Sequence, residues 1–115
     1  MNKYYNQKTY TSDGIKHDSQ KEAQRWCELK LLQRAGKITD LQRQVEFELI
    51  PNQYECVKGK NKLVERRCCY IADFVYKEDG ETIVEDVKSV ATQTEKFIIK
   101  RKLMLYIHGI KIKIV

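Results

Sequence analysis

The run Cys68 to Ser89, CCYIADFVYKEDGETIVEDVKS, constrains the fold more than any other part of the chain. Two segments rich in aromatic and β-branched residues, which suit a pleated and half-buried surface, flank the pair Asp79-Gly80. Asp-Gly tolerates the positive φ that a two-residue turn between twisted antiparallel strands requires, so an antiparallel hairpin is predicted here. Its register then decides which residues meet, because side chains alternate between faces with a period of two. Stepping back equally from the turn sets Asp73 opposite Asp86 and Ile71 opposite Lys88. Asp73, Asp86 and Lys88 then share one face, and Glu85 points the other way. The tight turn also opposes Glu78 and Glu81; opening the loop to the four residues from Glu78 to Glu81 relieves that repulsion and keeps the register.

Directly opposed residues hold their Cβ atoms about 4.5–5.5 Å apart, and like charges at that distance repel. Asp73 and Asp86 are surrounded by Ile71, Ala72, Phe74, Val75, Ile83, Val84 and Val87, a setting that accepts carboxylates poorly unless they are paired or metal-bound. A hard divalent cation is the natural compensation, since Mg²⁺ is usually held by one or two carboxylates with water and phosphate oxygens. The expected ligands are the Asp73 and Asp86 side chains and the Val87 carbonyl, with Lys88 reaching the same spot to offset charge on a phosphate or to orient water. The competing reading is a purely structural ion pair between Lys88 and Asp86.

The segment after Asp18 opens with Ser19 as N-cap, carries Glu22 three residues later and closes at Gly36, which predicts a helix. Ala23, Trp26, Cys27, Leu31 and Ala35 form its expected buried stripe, widened by Leu29 and Leu32. Glu22 has two readings: a capping-box residue bonding back to Ser19, or a further carboxylate aimed at the sheet. Ser12-Asp13-Gly14 signals a turn in a small hairpin or arm before the helix, within residues 1–17. LQRQVEFELI alternates as a half-buried strand, with Leu41, Val45, Phe47 and Leu49 against Gln42, Gln44, Glu46 and Glu48. Lys58 to Lys62 reads as a basic turn between strand-like pieces, with Gly59 and Asn61 as turn residues. A second helix is expected from near Thr92 or Thr94 to Gly109, and IKIKIV is a closing strand. The predicted order is helix, three strands, helix, strand: one domain over residues 1–115, of α/β (α+β) class, with a mixed sheet flanked by helices.

Lys and Arg outnumber Asp and Glu by 22 to 16, for a formal charge of +6. That balance suits a nucleic-acid partner. The candidate phosphate contacts are Lys58, Lys60, Lys62, Arg66 and Arg67, together with Lys96, Lys100, Arg101 and Lys102 on the second helix. No apolar run has transmembrane length and the polar start lacks a signal-peptide core, so a cytoplasmic location without membrane association is expected. Cys27, Cys56, Cys68 and Cys69 contain no CxxC pair, and neighbouring strand residues point to opposite faces; free buried thiols are expected in place of a zinc site or a redox pair. His17 and His108 are read as structural or surface residues.

Asp73, Asp86-Val87-Lys88 and the upstream Glu22, in this element order, resemble the PD-(D/E)xK nuclease superfamily, most closely a small phage or prophage family of that type with no assigned function. The resemblance spans the chain from Thr11 onward through SDGIKHDSQKEAQRW, QVEFEL, YIADFVY, VEDVKS and HGIKI. It implies a restriction-endonuclease-like core in which Asp73 and Asp86 bind Mg²⁺ or Mn²⁺, Lys88 assists attack on the phosphate and Glu22 adds a carboxylate. Ala72 stands where the name-giving Pro would be, Asp86 replaces the commoner Glu, and His17 replaces an expected aromatic. The superfamily includes Holliday-junction resolvases, which work as homodimers; by that likeness a homodimer and branched DNA are expected, in the bacterial host cytoplasm if the chain is phage-encoded. Two functions of different class follow: a metal-dependent DNA endonuclease, and a nucleic-acid-binding or assembly module that keeps the fold without catalysis.

Overall fold

The hairpin forms with the tight turn. In the computed structural model, which describes residues 9–115, Asp79 and Gly80 both take positive φ (51° and 79°) and Glu78 pairs directly with Glu81. The repulsion between those two exposed glutamates is screened by water, so the four-residue loop is not needed. Strand β6 (Cys68–Glu78) and strand β7 (Glu81–Asp86) keep the expected register as far as Phe74 against Glu85. Asp73 and Asp86 are thus the next residues beyond the last ladder pair, and Lys88 lies past the end of β7.

Before them come the two-residue strands β1 (Thr9–Tyr10) and β2 (Lys16–His17), which make the expected small hairpin around Asp13-Gly14, then α1 (Gln20–Arg34) and β3 (Thr39–Ile50). Strands β4 (Gln53–Val57) and β5 (Lys60–Glu65) form a hairpin of their own, outside the main sheet. Its turn is Lys58-Gly59, both at positive φ, and Asn61 lies within β5 paired with Cys56 instead of serving as a turn residue. After β7 a 3₁₀ turn (Val90–Thr92) leads to α2 (Glu95–His108), capped by the Thr94 hydroxyl, and the closing strand β8 shrinks to Lys113–Ile114. The main sheet has the order β3-β6-β7-β8, antiparallel except for the parallel β7–β8 pair that α2 connects. The protein is a mixed α+β fold with two helices and a mixed sheet. No described helix is long and apolar enough to cross a membrane.

Two apolar clusters cover the sheet. Trp26 and Leu29 of α1 pack with Ile38, Phe74 and Tyr76; Phe97 and Met104 of α2 pack with Leu49, Tyr70, Ala72, Val75, Val84 and Ile112. Residues such as Phe74, Leu29 and Met104, all fully buried, each contribute about 1.5–3 kcal/mol by leaving water. The buried face of α1 is Glu22, Ala23, Trp26 and Leu29. Cys27, Leu31 and Ala35, expected in that stripe, are exposed: the sheet meets the helix about one residue out of phase with the apolar pattern, and it takes a carboxylate inside. The free cysteines are not buried either, Cys27 and Cys56 being exposed and Cys68 and Cys69 half-buried.

Strand β6 changes sides at Asp73. Tyr70 and Ala72 belong to the α2 cluster, as does Val75, whereas Phe74 and Tyr76 belong to the α1 cluster. The alternation breaks at one residue, and Gln44, which falls opposite Asp73 in the β3–β6 register, has φ 53°. A non-glycine residue held in the left-handed region costs on the order of 1 kcal/mol or more and persists only where its surroundings enforce it.

Candidate active site

β7 sorts its two acids by parity. Glu85, fully buried, turns toward α1 and receives Arg25 Nε at 2.8 Å and Nη2 at 2.7 Å, with a further hydrogen bond from the Tyr76 hydroxyl. Burial alone would raise its pKa, but the Arg25 and Tyr76 hydrogen bonds hold it below the ordinary glutamate value. Asp86, 2% exposed, turns toward the α2 side and accepts a hydrogen bond from the Tyr70 hydroxyl on Oδ2. Its other oxygen, Oδ1, is buried without a hydrogen bond; Lys88 Nζ stands 3.5 Å away, at ion-pair distance.

Asp73 sits where β6 changes sides. Its Oδ2 accepts the Val87 backbone N–H at 2.8 Å, which ties the end of β7 to β6 after the ladder stops. Glu22 arrives from α1. The Ser19 hydroxyl accepts the Glu22 N–H at 3.1 Å, half of the expected capping box, while the Glu22 carboxylate lies 5% exposed beneath the helix, with His17 Nδ1 3.8 Å away. Ser19 thus caps the helix, while the Glu22 side chain faces the sheet, toward His17 and Gln44, instead of bonding back to the Ser19 N–H as a capping box would have it. Gln44 Nε2 stands between the two acids, 3.4 Å from Glu22 Oε1 and 3.5 Å from Asp73 Oδ1.

Glu22, Asp73, Val87 and Lys88 line one cleft of about 300 Å³, rimmed by Asp18, Lys21 and Ser89. Asp86 and Lys88 line an adjoining depression of about 250 Å³ with Tyr70, Phe97, Lys96 and Lys100. Lys88 serves both, its ammonium 5.2 Å from the centre of the Phe97 ring, a cation–π contact that steers the side chain. Burial first, then the charge of Asp86, pushes the Asp73 pKa upward; the Val87 N–H opposes this and Glu22 adds to it. Burial likewise raises the Glu22 pKa, with Asp18 and Asp86 adding and Arg43 and Lys88 opposing. Three elements thus bring together carboxylates whose mutual repulsion Lys88 does not cancel.

The donor set suits a small hard cation. Asp86 Oδ1 is a buried acceptor with no hydrogen bond and only the Lys88 ammonium at 3.5 Å, Asp73 Oδ1 has a long contact to Gln44, and the charge of Asp86 raises the proton affinity of Asp73. Among the described residues no group of three His, Cys, Asp or Glu side chains closes around a single metal position. Mg²⁺ asks for less: one or two carboxylates and several waters suffice.

Of the residues expected to touch nucleic acid, Lys96 and Lys100 reach the site. Arg101 and Lys102 line a separate depression with Leu105 and Lys111. Lys58, Lys60 and Lys62 lie on the β4–β5 hairpin, and Arg67 is held by Glu46, Nη2 to Oε1 2.5 Å. The sequence pattern missed Gln44, Tyr70 and His17. Period-two alternation does not separate Gln44 from Gln42, and a tyrosine in a strand reads as core; Tyr70 is core, with its hydroxyl spent on Asp86. His17, 1% exposed beside Glu22, has its pKa lowered by burial and by Arg43. His108 bonds the Glu48 carbonyl at 2.7 Å and is structural.

Residues 1–113 match the sequence model of a family described as a protein of unknown function (DUF1064), and the chain belongs to that family. No curated protein and no solved structure gives a significant match.

Proposed function

We propose that this member of a family of unknown function is a metal-dependent DNA endonuclease with a restriction-endonuclease-like core. The succession α1, β3, β6, β7, α2, β8, with the β4–β5 hairpin inserted, accords with the superfamily that the motif residues resemble. The observation that carries the proposal is the convergence of Glu22, Asp73 and Asp86 from three elements, with raised proton affinity at Asp73 and Glu22 and Lys88 3.5 Å from Asp86.

Asp73, Asp86 and the Val87 carbonyl would hold Mg²⁺ or Mn²⁺, with Glu22 adding a carboxylate from the helix. Such an ion would supply Lewis-acid activation of the scissile phosphate and of the attacking water. Lys88, kept in line by Phe97 and Asp86, offsets the charge that develops on the phosphate. Lys96 and Lys100 receive the neighbouring phosphates of the strand. Tyr70 fixes the Asp86 carboxylate and keeps its own proton, since burial and Asp86 both raise its pKa. A homodimer acting on branched DNA is the finer form of this proposal.

Asp86→Asn and Lys88→Ala test it. Labelled four-way junction, linear duplex and single-stranded DNA are incubated with Mg²⁺, Mn²⁺ or EDTA. Metal-dependent cutting is expected from the wild type, with a loss of at least about 10²-fold in each variant while circular dichroism shows a folded chain. Undiminished cutting by Asp86→Asn would sink the assignment. The second reading, a binding module without catalysis, is favoured by the occupied oxygens, Asp73 Oδ2 on the Val87 N–H and Asp86 Oδ2 on Tyr70. Calorimetry separates the two, since the module takes up no Mn²⁺ through Asp73 or Asp86.

A further inference from the structure

The β4–β5 hairpin is unlike the rest of the fold. All of its strand residues are exposed, and among the described residues its strands are in substantial contact only with each other. A two-stranded ribbon alone in water is marginally stable, so its integrity depends on its turn and its base. The turn is the tight pair Lys58-Gly59. At the base, Asn52 Oδ1 accepts the Arg67 N–H at 2.6 Å, and the Arg67 guanidinium is paired with Glu46 of β3. The arm is anchored at one end and, among the described residues, free along its length, about 17 Å for five paired residues.

Pairing gives the ribbon two different faces. Val57 opposes Lys60 and Glu55 opposes Lys62, so both lysines lie on one face, next to Lys58 in the turn. Tyr54 opposes Leu63 and Cys56 opposes Asn61 on the other. Positive charge is gathered at the tip.

We infer that this hairpin is a duplex-DNA-binding arm whose lysine-bearing tip enters the major groove. The partner, though not the arm, rests on the DNA reading proposed above. The shape decides between nucleic acids: the major groove of B-form DNA admits a two-stranded ribbon, whereas the deep, narrow major groove of A-form RNA does not. Three lysines at the tip meet the phosphates that border the groove, and each such contact steepens the salt dependence of binding.

The test compares the full-length wild type with a Lys58→Ala, Lys60→Ala, Lys62→Ala triple variant. Binding to duplex DNA, duplex RNA of the same sequence and single-stranded DNA is measured in EDTA across a salt series, where no metal-dependent cleavage interferes. For duplex DNA the variant should lose at least about tenfold in affinity at 0.1 M salt, with a salt slope shallower by about one per lysine. The loss on duplex RNA should be several-fold smaller. Unchanged DNA affinity, or equal loss on all three nucleic acids, would overturn the groove-entering arm. So would a changed sedimentation coefficient with DNA binding intact, which would make the hairpin a contact between copies of the chain. Because binding is read without cleavage, the expected loss in a protein that never cuts DNA would uphold the arm and remove the nuclease.

Discussion

Glu85 and Asp86 are neighbours on one strand, both buried, and they meet opposite fates. Glu85 is closed: a bidentate guanidinium and a phenol account for its oxygens, and its pKa falls. Asp86 is open, with one oxygen unbonded, a lysine at 3.5 Å, and two further acids nearby whose pKa values rise. The same chemical group, moved to the other face of one sheet, passes from a satisfied structural ion pair to a site with unspent charge. Burial does not distinguish the two; the balance of partners does.

The comparison breaks most sharply at Arg25. Arg25→Ala strands a fully buried glutamate and should cost about 3 kcal/mol or more in urea denaturation, whereas replacing Arg25 and Glu85 together with apolar residues should recover most of that loss. The stranded Glu85 protonates more readily, so the loss should shrink as pH falls. If Arg25→Ala costs less than about 1 kcal/mol at neutral pH, the closed pair is not structural.

Asp73→Asn tests the open side and should have the opposite sign. A raised folded pKa means that the stability the group contributes is present below the ordinary carboxylate range and lost as pH rises through the raised value. At neutral pH without metal, the variant should therefore be more stable than wild type, on the order of 1 kcal/mol, because the amide still accepts the Val87 N–H. The gain should vanish below about pH 4, and thermal unfolding across pH 3.5–8 measures it. A variant less stable than wild type at every pH would mean that Asp73 is as well matched as Glu85.

The smallest effect belongs to the acid pair in open water. Glu81→Lys turns the repulsive Glu78–Glu81 pair into an attractive one and should add only about 0.2–1 kcal/mol, fading in high salt, as thermal melts at two ionic strengths would show.

Much of this was legible in the chain. Asp79-Gly80 dictates a tight turn, and the turn carries the register back as far as Phe74 and Glu85 because the pairing is local; one residue further, at Asp73 and Asp86, the ladder stops and β6 breaks its alternation, which the period of two could not foretell. The Ser19 cap, Gly36 beyond the first helix and the Thr94 start of the second were equally readable from local chemistry. The same locality explains the misses. Cys27 and Leu31 fit an apolar stripe that the helix does not bury, since a stripe is defined only by what it packs against. Gln44 is indistinguishable from its neighbours until β3 is laid beside β6.

The sequence by itself determined the hairpin, the helix ends and the parity that separates Glu85 from Asp86, all of which follow from contacts between residues near in the chain. Only the tertiary structure decided which acid is neutralised. Arg25 lies 60 residues before Glu85, and Glu22 and Gln44 approach Asp73 from α1 and β3. A carboxylate's charge is set by what stands within a few ångströms of it, and for these residues the packing of helix on sheet brings those neighbours there.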